Sequence, residues 1–195
     1  AKQGYDTKFL PPMFTEKVGQ LRKIGPVLDY CLVGHMGEGK NVELVIEAFI
    51  ELYKRGSKAQ ITFYGGSEER LAELQNQYDL PPTIHFKGIV NEVPYHLHQC
   101  YLSASYTELF ANACVEALNQ GLLALLSDVD IAHRFYAGQS NAINLFKTKS
   151  ELIQKIEKME QPGFYLLNEK NLALASRYSL EKIAQIYREL LDRNF

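Results

Sequence analysis

Two carboxylates eight positions apart, Glu108 and Glu116, enclose LFANACV, a stretch with no charge and no proline. Ionised carboxylates suit the hydroxyls of a polyol, because a charged acceptor makes a hydrogen bond roughly twice as strong as a neutral one. A short apolar run and the turn formers Ser105-Tyr106-Thr107 precede Glu108. Ala117, Leu118 and then Gly121, a helix stop, follow Glu116. The pattern predicts strand, turn, helix, strand. Glu108 then falls on the loop at the carboxyl end of a strand, and Glu116 about two turns into the following helix. The backbone N–H groups of Leu109, Phe110, Ala111 and Asn112 point from the helix start into the same space. That arrangement suits an anion with polyol on either side of it.

A second loop, Gly34 to Asn41 (GHMGEGKN), follows an apolar run and precedes a helical pattern. Gly34-x4-Gly39-Lys40 fits a P-loop, in which backbone N–H groups and a lysine hold nucleotide phosphates. LLALLSD, ending in Asp128, then stands in for a Walker B strand. The misfit is Asn41, which occupies the position where Ser or Thr would hold magnesium.

The segment from Ser103 to Asp128 also resembles the nucleotide-sugar signature of retaining glycosyltransferases of family 4, which have the GT-B fold. That signature runs Pro-Ser-x-x-Glu-Gly-Phe-Gly, four further residues, then Glu-Ala. Ser105, Glu108, Phe110, Glu116 and Ala117 match it; Ala104 replaces the proline, and Leu109 and Ala111 replace the two glycines. The Gly34 loop is similar to the same family's Val-Gly-Arg-Leu, three residues, Lys-Gly-Val. Val33, Gly34, Lys40 and Val42 match without a gap, as does ELVIEAF at 43–49, while His35 replaces the arginine and Asn41 the second glycine. This likeness covers more residues than the P-loop and extends over roughly 27–191, so it is preferred.

The resemblance implies the donor-binding C-terminal half of such an enzyme, without the acceptor-binding N-terminal half. Its donor is a nucleoside diphosphate sugar, most often a UDP-sugar, and its acceptor a glycan, lipid-linked or protein group. Lys40 and Glu108 take the catalytic places: Lys40 meets the diphosphate and Glu108 holds hydroxyls of the transferred sugar. Gly34, His35, Leu109, Phe110, Ala111 and Asn112 complete the donor site, and Glu116 holds the ribose. Ile89 and Val90, after Phe86-x-Gly88, meet the base edge with backbone groups. No metal and no further cofactor are implied. The implied location is cytoplasmic, at the inner face of the cell membrane, with peripheral membrane contact through the absent half. The replacements at His35, Leu109 and Ala111 keep a catalytically silent, glycosyltransferase-like partner subunit open as an alternative, alongside the P-loop nucleotide-binding domain.

The elements that must position these groups are legible as periodicity. Apolar runs predict strands over 27–33, 59–64, 83–86 (ending at Gly88), 100–103, 122–126 and 142–146. Helical spacing predicts helices over 42–54, 68–78, 93–99, 132–137, 150–159, 164–177 and 180–191. In the last, Leu180, Ile183, Ala184, Tyr187, Leu190 and Leu191 form one apolar face, an amphipathic cap. Alternating strands and helices argue for an α/β, Rossmann-like three-layer domain with a roughly six-stranded parallel sheet and C-terminal helices. Residues 1–26, with Pro11-Pro12, Gly19, Gly25 and Pro26, read as an irregular lead-in or interdomain linker, and 27–195 as the sugar-nucleotide-binding domain.

Composition narrows the function classes. A chain of 195 residues, 46% hydrophobic, suits one compact domain. A net charge of −2 argues against nucleic acid as a partner. Cys31, Cys100 and Cys114 sit in apolar contexts without motif spacing and read as reduced, buried thiols. No apolar run reaches the roughly 18 residues of a membrane span, and no signal peptide is visible. The start at Ala1-Lys2 suits a processed product or a fragment. Asp128-Val129-Asp130 mimics a metal-chelating Asp-x-Asp but reads better as turn acids. His96 and His98, two apart, face different ways on a helix, and His85 reads as a structural strand residue.

Overall fold

The computed structural model describes residues 23–192, without the side chains of 190–192. Of the irregular lead-in expected over 1–26, residues 1–22 lie outside the described residues, and Lys23–Ile24 form a short strand. Six strands form one parallel sheet: β2 (Asp29–Val33), β3 (Gln60–Tyr64), β4 (Ile84–Gly88), β5 (Cys100–Ser103), β6 (Leu123–Ser127) and β7 (Ile143–Phe146). Their order is β4-β3-β2-β5-β6-β7. The chain therefore starts in the middle, winds outward through β3 and β4, crosses back past β2, and winds outward again. All six expected strands form; β5 begins at the expected residue and the others one or two residues after it.

Alternation along each strand explains the two apolar layers. Tyr30 and Leu32 of β2 enter one cluster with Ile61, Phe63, Leu102 and Leu125. Cys31 points the other way and joins Tyr101, Ala124 and Leu126, as a side-chain period of two requires. Helices α1 (Val42–Lys54), α2 (Glu68–Gln77) and α5 (Lys149–Met159) cover the first face through Val45, Ile46, Phe49, Leu74, Leu152 and Ile156. Helices α3 (Asn112–Asn119), α4 (Ile131–Ala137) and α6 (Glu169–Ala175) cover the second through Cys114, Leu118, Tyr136 and Leu174. Both faces are covered, so the strands read as near-continuous apolar runs. All three cysteines are free and buried in these layers.

Three expectations need correction. The helix expected over 93–99 is a single 3-10 turn, Tyr95–Leu97. Pro94 lacks an N–H, and Tyr95 turns inward to bury its ring. The helix expected over 164–177 divides into strand β8 (Leu166–Leu167), α6 and a 3-10 turn (Ser176–Tyr178). Strand β8 pairs antiparallel with β1 (Lys23–Ile24), a ribbon beside the main sheet. Asn168 and Asn171, both fully buried, donate from Nδ2 to the carbonyls of Gly121 (3.1 Å) and Leu122 (2.7 Å). These polar anchors interrupt the apolar periodicity that had suggested one long helix. Finally, α7 (Leu180–Asp192) is amphipathic but caps little of this domain. Ile183 is buried, whereas Leu180 and Tyr187 on the same face are 43% and 41% exposed. The side chains of Leu190 and Leu191 lie outside the described residues.

Candidate functional site

Neighbours β2 and β5 leave the sheet in opposite winding directions, and the loops after them part. A crevice therefore opens beyond their carboxyl ends, the place where ligands bind in such sheets. Its volume is about 600 Å³, and Gly34, His35, Lys40, Glu108, Leu109, Phe110, Ala111 and Asn112 line it. Eight of the eleven residues assigned from sequence thus meet in one cleft. Ile89 and Val90 line a smaller adjoining hollow of about 160 Å³ with Tyr64, Gly65 and Val93. Val33 and Gly34 belong to both walls, so the two spaces adjoin. Glu116 lines neither cavity. It lies one helical turn deeper on α3, where Tyr95 Oη donates to its Oε2 at 2.9 Å.

The loop after β2 is held from three sides. Gly34 N–H donates to Tyr64 O at 3.0 Å, and Gly65 N–H to Gly88 O at 2.6 Å. At φ +99°, a Cβ on Gly65 would sit 2.1 Å from Gly34 O, so glycine is required where β3 ends. Met36, at φ 56°, buries its side chain, and its carbonyl accepts from Arg70 Nε at 3.0 Å. Arg70 is itself paired with Glu43 at the start of α1. A 3-10 turn, Glu38–Lys40, then runs to Asn41 at φ 50°, where a short polar side chain is tolerated. Lys40 N–H bonds Gly37 O at 2.9 Å, and Asn41 N–H bonds Glu38 O at 3.0 Å. These donors are occupied within the turn, whereas a P-loop aims its backbone N–H groups at phosphate. The P-loop expectation is overturned on that geometry.

Lysine 40 reaches the cleft along Gly34. A Cβ at residue 34 would lie 3.1 Å from Lys40 Cε, so the bare backbone makes room for the side chain. The ammonium pairs with Glu108 Oε1, which also accepts from Ser105 Oγ at 2.7 Å. Only 18% of the Lys40 side chain and 13% of the Glu108 side chain are exposed. The charges are largely screened from water and are the principal electrostatic feature of the cleft. His35 is exposed at its rim.

Helix α3 begins at Asn112, three residues later than the Leu109 start expected from sequence. Ala111 is its N-cap at φ 53°, in the left-handed region, and Leu109 is fully exposed. The first N–H groups of a helix have no intrahelical partner, so Asn112 and Ala113, both lining the cleft, present theirs there. Phe110 is clamped: its carbonyl accepts from Tyr136 Oη at 2.6 Å, and its ring meets Tyr136 and Tyr178 edge-on.

Several supporting residues escaped sequence analysis. Tyr95, buried, holds Glu116; burial first and the neighbouring carboxylate second push its phenol pKa far up, so it is a permanent donor. Asp130 and Asp128 were read together as turn acids, yet they differ. Asp128 forms surface pairs with Arg134 and Lys147, and the Arg134 hydrogen bond holds its carboxyl below the usual range. Asp130 is 4% exposed and caps α4, accepting His133 N–H at 3.1 Å and Glu108 N–H at 2.7 Å. His133 is fully buried, and burial pushes its imidazole pKa down. Among the described residues, no group of three or more His, Cys, Asp or Glu converges as a metal site. No helix there is long and apolar enough to cross a membrane.

Comparison with known proteins bears on family and fold. The family of glycosyl transferases group 1 matches residues 14–173. The alpha-monoglucosyldiacylglycerol synthase of Acholeplasma laidlawii is 25% identical over 175 residues, covering 84% of this chain and 44% of that protein. Among solved structures, the GtfA/B complex superposes with a TM-score of 0.73 at 16% identity, over 94% of this chain and 38% of that one. HepE from Anabaena, in complex with UDP and glucose, gives a TM-score of 0.71 at 17% identity, over 86% of this chain and 49% of its own. The fold is that of one half of a GT-B protein, and the chain spans less than half the length of these relatives.

Proposed function

This chain belongs to the glycosyl transferases group 1 family, and from that premise we propose that it is the donor-binding half of a retaining, family 4 enzyme using a UDP-sugar. One observation carries the reading. Lys40, Glu108 and the start of α3 line a single cleft at the point where the sheet changes winding direction. A cation and free N–H groups suit a diphosphate, and a carboxylate beside them suits sugar hydroxyls. The adjoining hollow at Ile89 and Val90 suits a base, and Glu116 under Tyr95 suits the ribose between base and phosphates. The likeness to HepE, solved with UDP and glucose, supports UDP as the nucleotide.

In the proposed reaction, the bond between the anomeric carbon and the β-phosphate oxygen breaks as the acceptor oxygen attacks from the same face. The acceptor proton passes to the departing diphosphate. Lys40 and the α3 N–H groups stabilise the leaving charge, so this chemistry needs no divalent metal. The acceptor, a glycan, lipid-linked or protein group, is held by an N-terminal half that also makes any peripheral membrane contact. Without that half the proximity term, which supplies roughly 7–11 kcal/mol of such barriers, is missing. The 195-residue chain therefore binds donor without transferring sugar.

The test is thermal unfolding with a panel of nucleoside diphosphate sugars, with and without EDTA. A bound UDP-sugar at 100 times its Kd should stabilise the fold by about 2.7 kcal/mol. EDTA should leave that shift intact. No shift with any sugar nucleotide would favour the catalytically silent partner subunit instead.

A further inference from the structure

We propose that Asp130 is a positioning residue for Glu108, an inference that rests on the donor-site reading above. Glu108 stands on a turn whose backbone is fixed at three successive points. Ser105 O accepts from Ser127 Oγ at 2.6 Å, Tyr106 N–H donates to Gly39 O at 2.9 Å, and Glu108 N–H donates to Asp130 Oδ2 at 2.7 Å. Two of the three anchors come from the end of β6 and the cap of α4. Beyond Glu108 the next residue, Leu109, is fully exposed, and the next apolar anchor is Phe110, held by Tyr136 and Tyr178. The carboxylate of Asp130 is the contact that holds the Glu108 amide itself, between the Tyr106 and Phe110 anchors.

Asp130 is itself rigidly placed. Its other oxygen accepts His133 N–H at 3.1 Å, and the residue is nearly buried. His133 Nδ1 lies 3.0 Å from Ser127 O, an acceptor only, so Nδ1 carries the proton and donates there. The histidine thus ties the start of α4 to the end of β6, the strand beside the one that carries the Glu108 turn. Two backbone N–H groups need two acceptors, which an aspartate supplies and an asparagine cannot. Asp130→Asn keeps the shape and remains a good helix cap, but turns an NH2 group toward one of the two donors. The turn is released, and the Glu108 carboxylate loses its aim at the sugar. The phosphate donors on α3 keep their own support, and Lys40 keeps its path along Gly34.

The experiment is calorimetry on the 195-residue chain with UDP and UDP-glucose as probes, together with amide exchange. Asp130→Asn should lower the ratio of UDP-glucose to UDP affinity by about tenfold, the scale of one charge-assisted hydrogen bond. In a Glu108→Gln background the same change should move the ratio by less than about twofold, because neighbours acting through one group are not additive. Exchange at the Glu108 amide should accelerate in Asp130→Asn while the strands stay protected. Equal losses for both probes, full additivity with Glu108→Gln, or unchanged exchange at Glu108 would each overturn the proposal. Failure of the wild type to bind either probe would instead overturn the donor-site reading. The exchange result would still decide whether Asp130 pins the turn.

Discussion

Glutamine at position 108 keeps the shape of the side chain and removes the charge that faces Lys40. In the free protein the ammonium then loses its counter-charge in a largely enclosed place, with 18% of Lys40 and 13% of Glu108 exposed. Breaking a fully buried pair costs about 3–5 kcal/mol, and an exposed pair is worth about 0.2–1 kcal/mol. This pair lies between, near 2 kcal/mol, or roughly 4–8 °C of unfolding midpoint for a chain of this size. A bound diphosphate returns an anion to the same ammonium, so the penalty falls on the free state and fades in the complex. UDP should therefore bind Glu108→Gln at least as tightly as wild type, by up to about 30-fold more. A UDP-sugar gains the same relief and loses a hydroxyl contact worth about 1.5–3 kcal/mol. The ratio of UDP-sugar to UDP affinity should then fall by about 10- to 150-fold. Glu116→Gln should weaken both ligands alike and leave the ratio unchanged, since in the proposed site Glu116, held by Tyr95, meets only the ribose. Isothermal calorimetry with UDP and one UDP-sugar on the three proteins measures all of this. Weaker UDP binding by Glu108→Gln, or equal ratio changes in both variants, would refute the division of labour.

Gly65→Ala should lower the unfolding midpoint by roughly 4–20 °C, from about 1–2 kcal/mol of left-handed backbone and 1–3 kcal/mol of overpacking. Its Cβ would lie 2.1 Å from Gly34 O, and an unchanged midpoint would show that the two loops move independently. Acidification should destabilise the fold through His98 and His133, which burial holds neutral by pushing both pKa values down. Desolvation outweighs the nearby carboxylates of Asp130 and Glu108 at His133, where Lys40 adds to the depression. The unfolded chain takes up these protons as pH falls through about 6.5. Stability is thus complete above that pH and declines below it, by at most about 1.4 kcal/mol per pH unit per histidine. A midpoint that stays flat between pH 7.5 and 5.5, or a slope unaltered in His133→Asn, would contradict this.

What the sequence revealed and what it hid follow from how each feature is encoded. Strands buried on both faces are written as apolar runs, so all six main strands were legible to within one or two residues. The cleft was legible because its groups lie on two short segments, Gly34 to Asn41 and Glu108 to Asn112, each at the end of a strand. Its supports were not, because each depends on a partner distant in the chain. Tyr95 meets Glu116 across 21 positions, and Asp130 meets Glu108 across 22. Nothing near Asp130 distinguishes it from Asp128, two residues away, which faces Arg134 and Lys147 at the surface. Only the pairing of β5 with β6 brings the Glu108 turn against the start of α4. The division of the expected 164–177 helix has the same origin. The partners that stop it, Gly121 and Leu122, lie almost fifty residues earlier.

Backbone conformation carries information that side-chain identity obscures. Among the described residues, the non-glycine positions with positive φ are Met36, Asn41 and Ala111. All three belong to the two loops that shape the cleft. The family signature has glycine at the places of Asn41 and Ala111, and both residues keep the left-handed geometry that glycine adopts freely. Holding an ordinary residue there costs about 1–2 kcal/mol, so the surrounding structure must impose it. The means are visible. Met36 and Ala111 are 0% and 6% exposed, Arg70 grips the Met36 carbonyl, and Tyr136 grips the carbonyl just before Ala111. Backbone strain that survives the loss of its glycines concentrates where geometry is used. At this cleft the left-handed path of the main chain at Met36, Asn41 and Ala111 sets the aim of Lys40 and of the α3 N–H groups. Leu109, fully exposed and at an ordinary φ, alters only the outer rim. The replacements at 41 and 111 are for that reason compatible with a working donor site, and the chemistry turns on the charges that line it.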